Sequence, residues 1–409
     1  MLKRKNYWML FIILMLALTS LSPSIELDTG IGSNPQHQPL NPLTRTDSGE
    51  QEIPVLNIRV SLSGEEFQEL TRISNNYTLS TGVQVLLSNT PADESLDALK
   101  EELTTGASPD IVMTAGRNIP ALATRGYLLP VDVYRSVPGS APLTALIPQM
   151  QWNGYDWGVP LDVDPYVLVY SKTRLSELGL EQAPRGLEQW TTLLGRLLED
   201  TGKDRYLLSM DSQNPYGYSL LLESMGLSLE ELSDEALVWT EQARSYFYLT
   251  GKTSTAIWDM LDDGTLALAA VPVSEWRRHG NATMAAEAPA ETGNGQAYEA
   301  MDSRFFALPA ESGNPEAAVD WLGYMTSSAA QLEWLRSTER LPALDELYRS
   351  GLPRITWLPF RTSVLLADET AASALSGDGE AIAAAVSQLL TGKLDAAGFK
   401  ERISGDSLE

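Results

Sequence analysis

Cysteine is absent from the 409 residues. Disulfides, thiol catalysis, cysteinyl metal sites and a lipid carried on an N-terminal cysteine are therefore all excluded. Histidine is nearly absent, with His37 and His279 the whole complement, which leaves no material for a Ser-His-Asp triad or an HExxH zinc site. Phosphate-binding GxxxxGK[ST], a strand followed by GxGxxG, and GxSxG are missing too, and Asp262-Asp263-Gly264 lacks the spaced oxygens and terminal Glu of a calcium loop,. Positive charge is scarce: 29 Lys and Arg stand against 54 Asp and Glu, a net charge of −25. Such an excess repels phosphate backbones and anionic lipid, and it serves solubility. Paired carboxylates remain available to a secreted glycoside hydrolase, which needs two at a fixed separation. With 54 acidic residues such pairs arise easily by chance.

The length exceeds the ~250–300 residues at which a single core stops growing, so two lobes are expected. Lys3, Arg4 and Lys5 precede an apolar run over 7–18, the length of a secretory signal core rather than of a full membrane span. Export follows, but the cleavage signal is poor, because Ser20-x-Ser22 would put Pro23 first in the mature chain. Residues 1–22 are read as a signal peptide or an uncleaved N-terminal anchor, leaving the protein at the cell surface or in the periplasm. Residues 23–52, rich in Pro, Asn, Gln, Ser and Thr, have the composition of a flexible linker,.

Strand and helix signals alternate once the linker ends. VLNIRVS (55–61) alternates as a strand, and Ser63 with Glu66 forms a capping box before Phe67, Leu70 and Ile73 at helical spacing,. VQVLL (83–87) and DIVM (110–113) are further strands, with a helix face Leu96, Leu99, Leu103 between them,. Helical spacing then dominates over 187–200, 216–225, 233–249 and 253–261, and few strands are expected there. LALAAVPV (266–273) and RFFAL (304–308) are short buried strands on either side of a loop containing Gly293 and Gly295. Asn314-Pro315-Glu316 caps a helix, and 381–390 with 396–403 makes a helical hairpin broken at Gly392,.

Within WNGYDWGVPLDVDPYVLVYSK (152–172), Asn153-Gly154 is a hairpin turn, and Val167, Leu168, Val169 and Tyr170 suit a buried strand,. Asp162, Asp164 and Tyr166 share one face of the extended segment by its two-residue period. A cleft edge and an ordinary half-buried strand with a solvated face both fit this pattern.

Four segments in order, SPDIVMTAGRNIPALATRGYLLPVD (108–132), WNGYDWGVPLDVDPYVLVYSKTRL (152–175), NPEAAVDWLGYMTSSAAQLEWL (314–335) and RLPALDEL (340–347), resemble the extracellular solute-binding proteins of ABC importers, family 1, the group similar to maltose-binding protein. The resemblance implies a two-lobed, periplasmic-binding-protein-like α/β clamshell of type II, with crossover hinge strands and C-terminal helices. Lobe 1 would take 53–163 plus 288–345 and lobe 2 would take 164–287 plus 346–404. It implies a non-enzymatic monomer without cofactor or metal, gripping a solute between the lobes and delivering it to permease subunits. Carried over residue by residue, the ligand contacts would be Thr114, Arg117 and Asn118 after the DIVM strand, Asp164 and Tyr166 at the hinge, Tyr216 and Tyr218 in NPYGYS, Trp276, and Trp357. Trp152 and Trp157 would serve packing. Rings that stack on a pyranose, together with amides and carboxylates for its hydroxyls, suit a neutral sugar or oligosaccharide. Two departures stand out: Thr114 replaces an aromatic, and Met301-Asp302-Ser303-Arg304 replaces a Gly-Trp pair, which makes the pocket more polar. The alternative reading is a surface-tethered sensor that reports a solute to a membrane kinase.

Overall fold

Leu56, Ile58 and Val60 alternate with outward-facing Val55 and Asn57 along the first strand, β1 (Val55–Val60), so one face enters a core. Ser63 Oγ then accepts from Glu66 N while Glu66 Oε2 accepts from Ser63 N, closing the capping box of the helix Gly64–Thr81,. The computed structural model describes residues 54–90, 96–104, 108–134, 141–199, 205–251, 254–288, 300–351, 355–366 and 379–403. The signal segment, the linker with His37, and the loop at Gly293 and Gly295 lie outside these residues.

The further strands are β2 (Gln84–Asn89), β3 (Ile111–Ala115), β4 (Leu128–Leu129), β5 (Gln151–Trp152), β6 (Tyr155–Asp156), β7 (Val159–Ser171), β8 (Tyr206–Asp211), β9 (Phe247–Thr250), β10 (Leu266–Pro272), β11 (Met284–Glu287), β12 (Met301–Pro309) and β13 (Leu341–Pro342). β5 and β6 form the expected hairpin, with Asn153 and Gly154 at φ 51° and 79°, as a two-residue turn requires. The other strands make one sheet whose main path runs β2-β1-β3-β12-β7-β10-β8-β9. β2, β1 and β3 are mutually parallel, as are β10, β8 and β9. The two triplets are joined through β12 and β7, which run antiparallel to their neighbours.

All 13 residues of β7 are buried. Its first part pairs with β12 and β13, and from Tyr166 onward it pairs with β10, then also with β11. Proline is rare in an internal strand because it cannot donate to the ladder. Here Pro160 sits where the β12 register shifts between Arg304 and Phe305, and Pro165 sits where the ladder passes from β12 to β10. The strand feeds a different core along each part of its length: Val159 and Leu161 join Ile58, Phe306 and Trp321, whereas Val167 and Val169 join Ile257, Leu261 and Leu266. Each such aliphatic side chain contributes roughly 1.5–3 kcal/mol on burial. The solvated face that 152–172 could have carried is therefore absent from β7.

The expected helix over 233–249 is shorter in the structure. It spans Asp234–Ala243, turns at Arg244–Tyr246 and continues as β9 beside β8. Strand pairing overrides local helical spacing here, since Phe247, Tyr248 and Thr250 also fit a pleated surface. β8 is likewise an added strand in a region read as helical. The C-terminal hairpin is present as Gly379–Leu390 and Ala396–Ile403, with Gly392 at φ 74°. Asn314 precedes the helix Pro315–Met325, but its amide bonds Asp110 and Val55 O rather than capping. Among the described residues no helix is long and apolar enough to cross a membrane.

Candidate functional site

A cleft of about 520 Å³ opens at the carboxyl ends of β1, β2 and β3. Ser61, Leu62 and Ser63 follow β1, Thr90 follows β2, and Thr114 and Ala115 end β3. Asn214, just beyond β8 of the other parallel triplet, closes the opposite side. Ligand sites in α/β folds fall at these strand ends, because the loops there are free to vary while the sheet holds them rigidly.

The turn after β3 is pressed close to the return strand. A side chain at Gly116 would place its Cβ 2.2 Å from Gln149 Oε1 and 2.5 Å from Ser303 Oγ, so only glycine fits,. This tight approach delivers Arg117 and Asn118 to the cleft wall, where Asn118 Nδ2 donates to Thr114 Oγ1 at 3.0 Å. The Arg117 guanidinium lies 5.9 Å from the ring centroid of Tyr216, which belongs to the helix Tyr216–Ser224 that follows β8.

A charged network forms the back of the cleft. Asp162, with no exposure, accepts from Arg304 Nε (3.1 Å), Arg340 Nε (2.8 Å) and Trp334 Nε1 (2.7 Å). Arg304 Nη1 also reaches Glu66 Oε1 at 2.8 Å. Asp164, two residues on, accepts from Ser274 N (3.1 Å), Ser274 Oγ (2.6 Å) and Arg340 Nη1 (2.8 Å). Arg340 Nη2 lies 3.5 Å from Asp302 Oδ2. Unpaired charges could not be buried this way, since each would cost several kcal/mol.

The two carboxylates of β7 respond oppositely to this setting. Burial pushes Asp162 upward, but Arg304 and Arg340 with their hydrogen bonds outweigh it and hold the group below its ordinary value. For Asp164 burial prevails over Arg340 and Ser274, and Asp302 adds repulsion, so the group is pushed up to about 6,. Glu66 is also held low, the pull of Arg304 and Arg340 overcoming its burial.

The sequence-derived contacts divide into two groups. Thr114, Arg117 and Asn118 line the cleft. Asp164 lies behind it, spent on Ser274 and Arg340. Tyr166 and Tyr216 are buried with ring centroids 5.9 Å apart, beneath Arg117. Burial raises Tyr216 to about 12, with Arg117 offsetting part of the effect. Tyr218 is in the core of the second triplet, bonded to Thr240 (3.3 Å) and edge-on to Phe399. Trp276 and Trp357 are half-buried against the cluster that contains Val167 and Val271, and Arg277 covers Trp357. Neither tryptophan is among the cleft residues. Trp157 is buried and donates to Trp152 O.

Arg59, Glu66, Asp302, Arg304 and Arg340 also line the cleft and were missed as site residues. Signals existed: Arg59 and Arg304 are charges inside strands that enter the core, and Asp302-Ser303-Arg304 departed from the expected pair. Among the described residues no group of His, Asp and Glu is arranged to hold a metal.

The sequence pattern of the family described as bacterial extracellular solute-binding protein matches residues 72–354. No curated protein matches the chain. Among solved structures, the GacH receptor of Streptomyces glaucescens, studied unliganded and with acarbose, shares 17% identity at a TM-score of 0.66, over 88% of this chain and 98% of that one. An ABC transporter solute-binding protein of Thermotoga lettingae, bound to α-D-tagatose, shares 17% at 0.64, over 86% and 97%. One from Agrobacterium vitis, with bound D-mannitol, shares 14% at 0.61, over 86% and 97%. The fold is the two-lobed α/β fold of periplasmic binding proteins.

Proposed function

The chain belongs to the bacterial extracellular solute-binding proteins, and we propose that it captures a small polyhydroxylated solute of the sugar class and delivers it to the permease subunits of an ABC importer. One observation carries this reading: the cleft lies at the carboxyl ends of the parallel strands, and hydroxyl, amide and charged groups line it. A volume of about 520 Å³ suits one small molecule. In this reading the protein acts by binding, and Asp162, fully paired with Arg304, Arg340 and Trp334, serves the cleft from behind.

Lobe 1 comprises 53–163 with 288–345, and lobe 2 comprises 164–287 with 346–404. In support, β7 changes its pairing partners at Pro165 and Tyr166, next to that boundary. Closure shifts a population between open and closed lobes, limited by the solute's preference for the closed one. The chain works as an exported monomer, with residues 1–22 as a signal peptide or an uncleaved N-terminal anchor.

Thermal denaturation of the full chain against a panel of neutral and acidic monosaccharides, disaccharides and polyols tests the reading. At about 100 times Kd a true ligand adds roughly 2.7 kcal/mol of stability. Saturable stabilisation by at least one member is expected, and none by any member overturns it.

A further inference from the structure

No aromatic side chain is among the described residues lining the cleft, whereas four arginines are: Arg59, Arg117, Arg304 and Arg340. A neutral pyranose is ordinarily held by rings against its CH-rich face together with bonds to its hydroxyls. This cleft lacks the rings and is rich in cations. We propose that the solute is a carboxylated sugar, a uronate or an aldonate, whose carboxylate is taken by Arg117. The inference rests on the sugar-binding reading above and narrows it.

Three of the four arginines are already paired. Arg59 Nε lies 2.9 Å from Glu102, Arg304 is shared between Asp162 and Glu66, and Arg340 bridges Asp162 and Asp164. Among the described residues no carboxylate forms an ion pair with Arg117. Its acidic neighbour Asp302 is engaged by Arg340 at 3.5 Å and accepts from Ser303 N at 3.0 Å. A guanidinium offers a planar fork of donors, the geometry a carboxylate accepts in pairs. Arg117 lies over the buried ring of Tyr216, a neutral neighbour that leaves its charge uncompensated.

Acceptors show the opposite pattern. Asp162 and Asp164 are 0% and 1% exposed and saturated by Arg304, Arg340, Trp334 and Ser274. They neutralise the arginines from behind and offer nothing to a solute. Glu66 in turn accepts from Arg304 and from Ser63 N. On the far wall Asn214 Oδ1 accepts from Tyr216 N at 3.0 Å, which leaves its amide N–H groups as further donors. The one arginine of the cleft without a carboxylate partner among the described residues is thus Arg117, a donor with a full positive charge. A bare oxyanion would leave much of a 520 Å³ cleft empty, and Ser61, Ser63 and Thr90 provide hydroxyls for the remainder of a sugar ring,.

Isothermal titration of the full chain with glucuronate, gluconate, glucose, maltose, mannitol, acetate and inorganic phosphate tests this. Glucuronate or gluconate is expected to bind at least tenfold more tightly than glucose, with acetate and phosphate weaker than either. Arg117→Gln should lower the sugar-acid affinity by about 10- to 100-fold, the scale of a charge-assisted hydrogen-bonded pair, and Arg117→Lys should recover part of it. Glucose or maltose binding as tightly as the acids overturns the inference and leaves the sugar-binding reading standing. Phosphate or acetate matching the sugar acids also overturns it, as does an Arg117→Gln protein of native circular dichroism with unchanged affinity. Binding of no member overturns both readings. The comparison on the native chain decides the matter even if the variant fails to fold.

Discussion

Arg340 Nε lies 2.8 Å from Asp162 Oδ1, tying the segment just before β13 to the strand β7 that joins the two parallel triplets. The same guanidinium takes Asp164 through Nη1, so one side chain fixes two consecutive inward positions of that strand. The cleft therefore stands on a charged foundation whose members are more structural than solute-binding. Several consequences can be measured.

Asp162→Asn leaves Arg304 and Arg340 buried beside a neutral amide. Removing one partner of a buried ion pair costs roughly 3–5 kcal/mol. Urea unfolding followed by tryptophan fluorescence should show a loss of that order, and a loss below about 1 kcal/mol would mean that the network contributes little.

Asp164 titrates near 6 in the folded chain against 3.8 ordinarily. The native state then holds this proton more tightly than the unfolded chain between those values. Its contribution to stability is complete below about pH 4 and is lost as pH rises through about 6. Asp162, held low, contributes in the opposite sense: its contribution is complete above about pH 4 and is lost as pH falls through its lowered folded-state value,. Between about pH 4 and about pH 7, Asp164→Asn should gain on the native chain by roughly 1–3 kcal/mol. Equal pH profiles for the two proteins would contradict this.

Gly116→Ala forces a methyl group into Gln149 and Ser303. The turn must move, and with it Arg117 and Asn118. A stability loss of roughly 1–3 kcal/mol should accompany at least a tenfold fall in affinity for whichever sugar binds. Unchanged affinity would place the solute away from this turn.

Trp357→Ala and Tyr218→Phe touch rings that lie away from the cleft. Calorimetry should give affinities within about twofold of the native chain for both. Removing the Tyr218 hydroxyl also breaks its bond to Thr240, at a cost of about 1 kcal/mol in unfolding experiments. A tenfold loss of affinity in Trp357→Ala would show that this ring reaches the solute.

Much of the framework was legible because it is local. The capping box at Ser63 and Glu66, the Asn153-Gly154 hairpin, and the alternation of Leu56, Ile58 and Val60 depend on residues a few positions apart. Local geometry fixes their meaning wherever the segment ends up. β9 was not legible in this way, because 247–250 extends only in response to β8 beside it.

By itself the sequence determined that no thiol, histidine or nucleotide chemistry operates here, that strands and helices alternate, and that four ordered segments resemble a solute-binding family. The resemblance pointed to Thr114, Arg117 and Asn118, which line the cleft. Tertiary structure decided which charges face the solute and which are consumed. The resemblance makes Asp164 a hinge contact, yet only the fold reveals Arg340, 176 residues further along, already bound to it. The resemblance offers Tyr218, Trp276 and Trp357 as stacking rings, and packing puts all three outside the lining of this cleft. Hydrogen bonds and ion pairs between distant segments have no signature in spacing, so the balance of spent and unspent charge in the cleft exists only once the chain has folded.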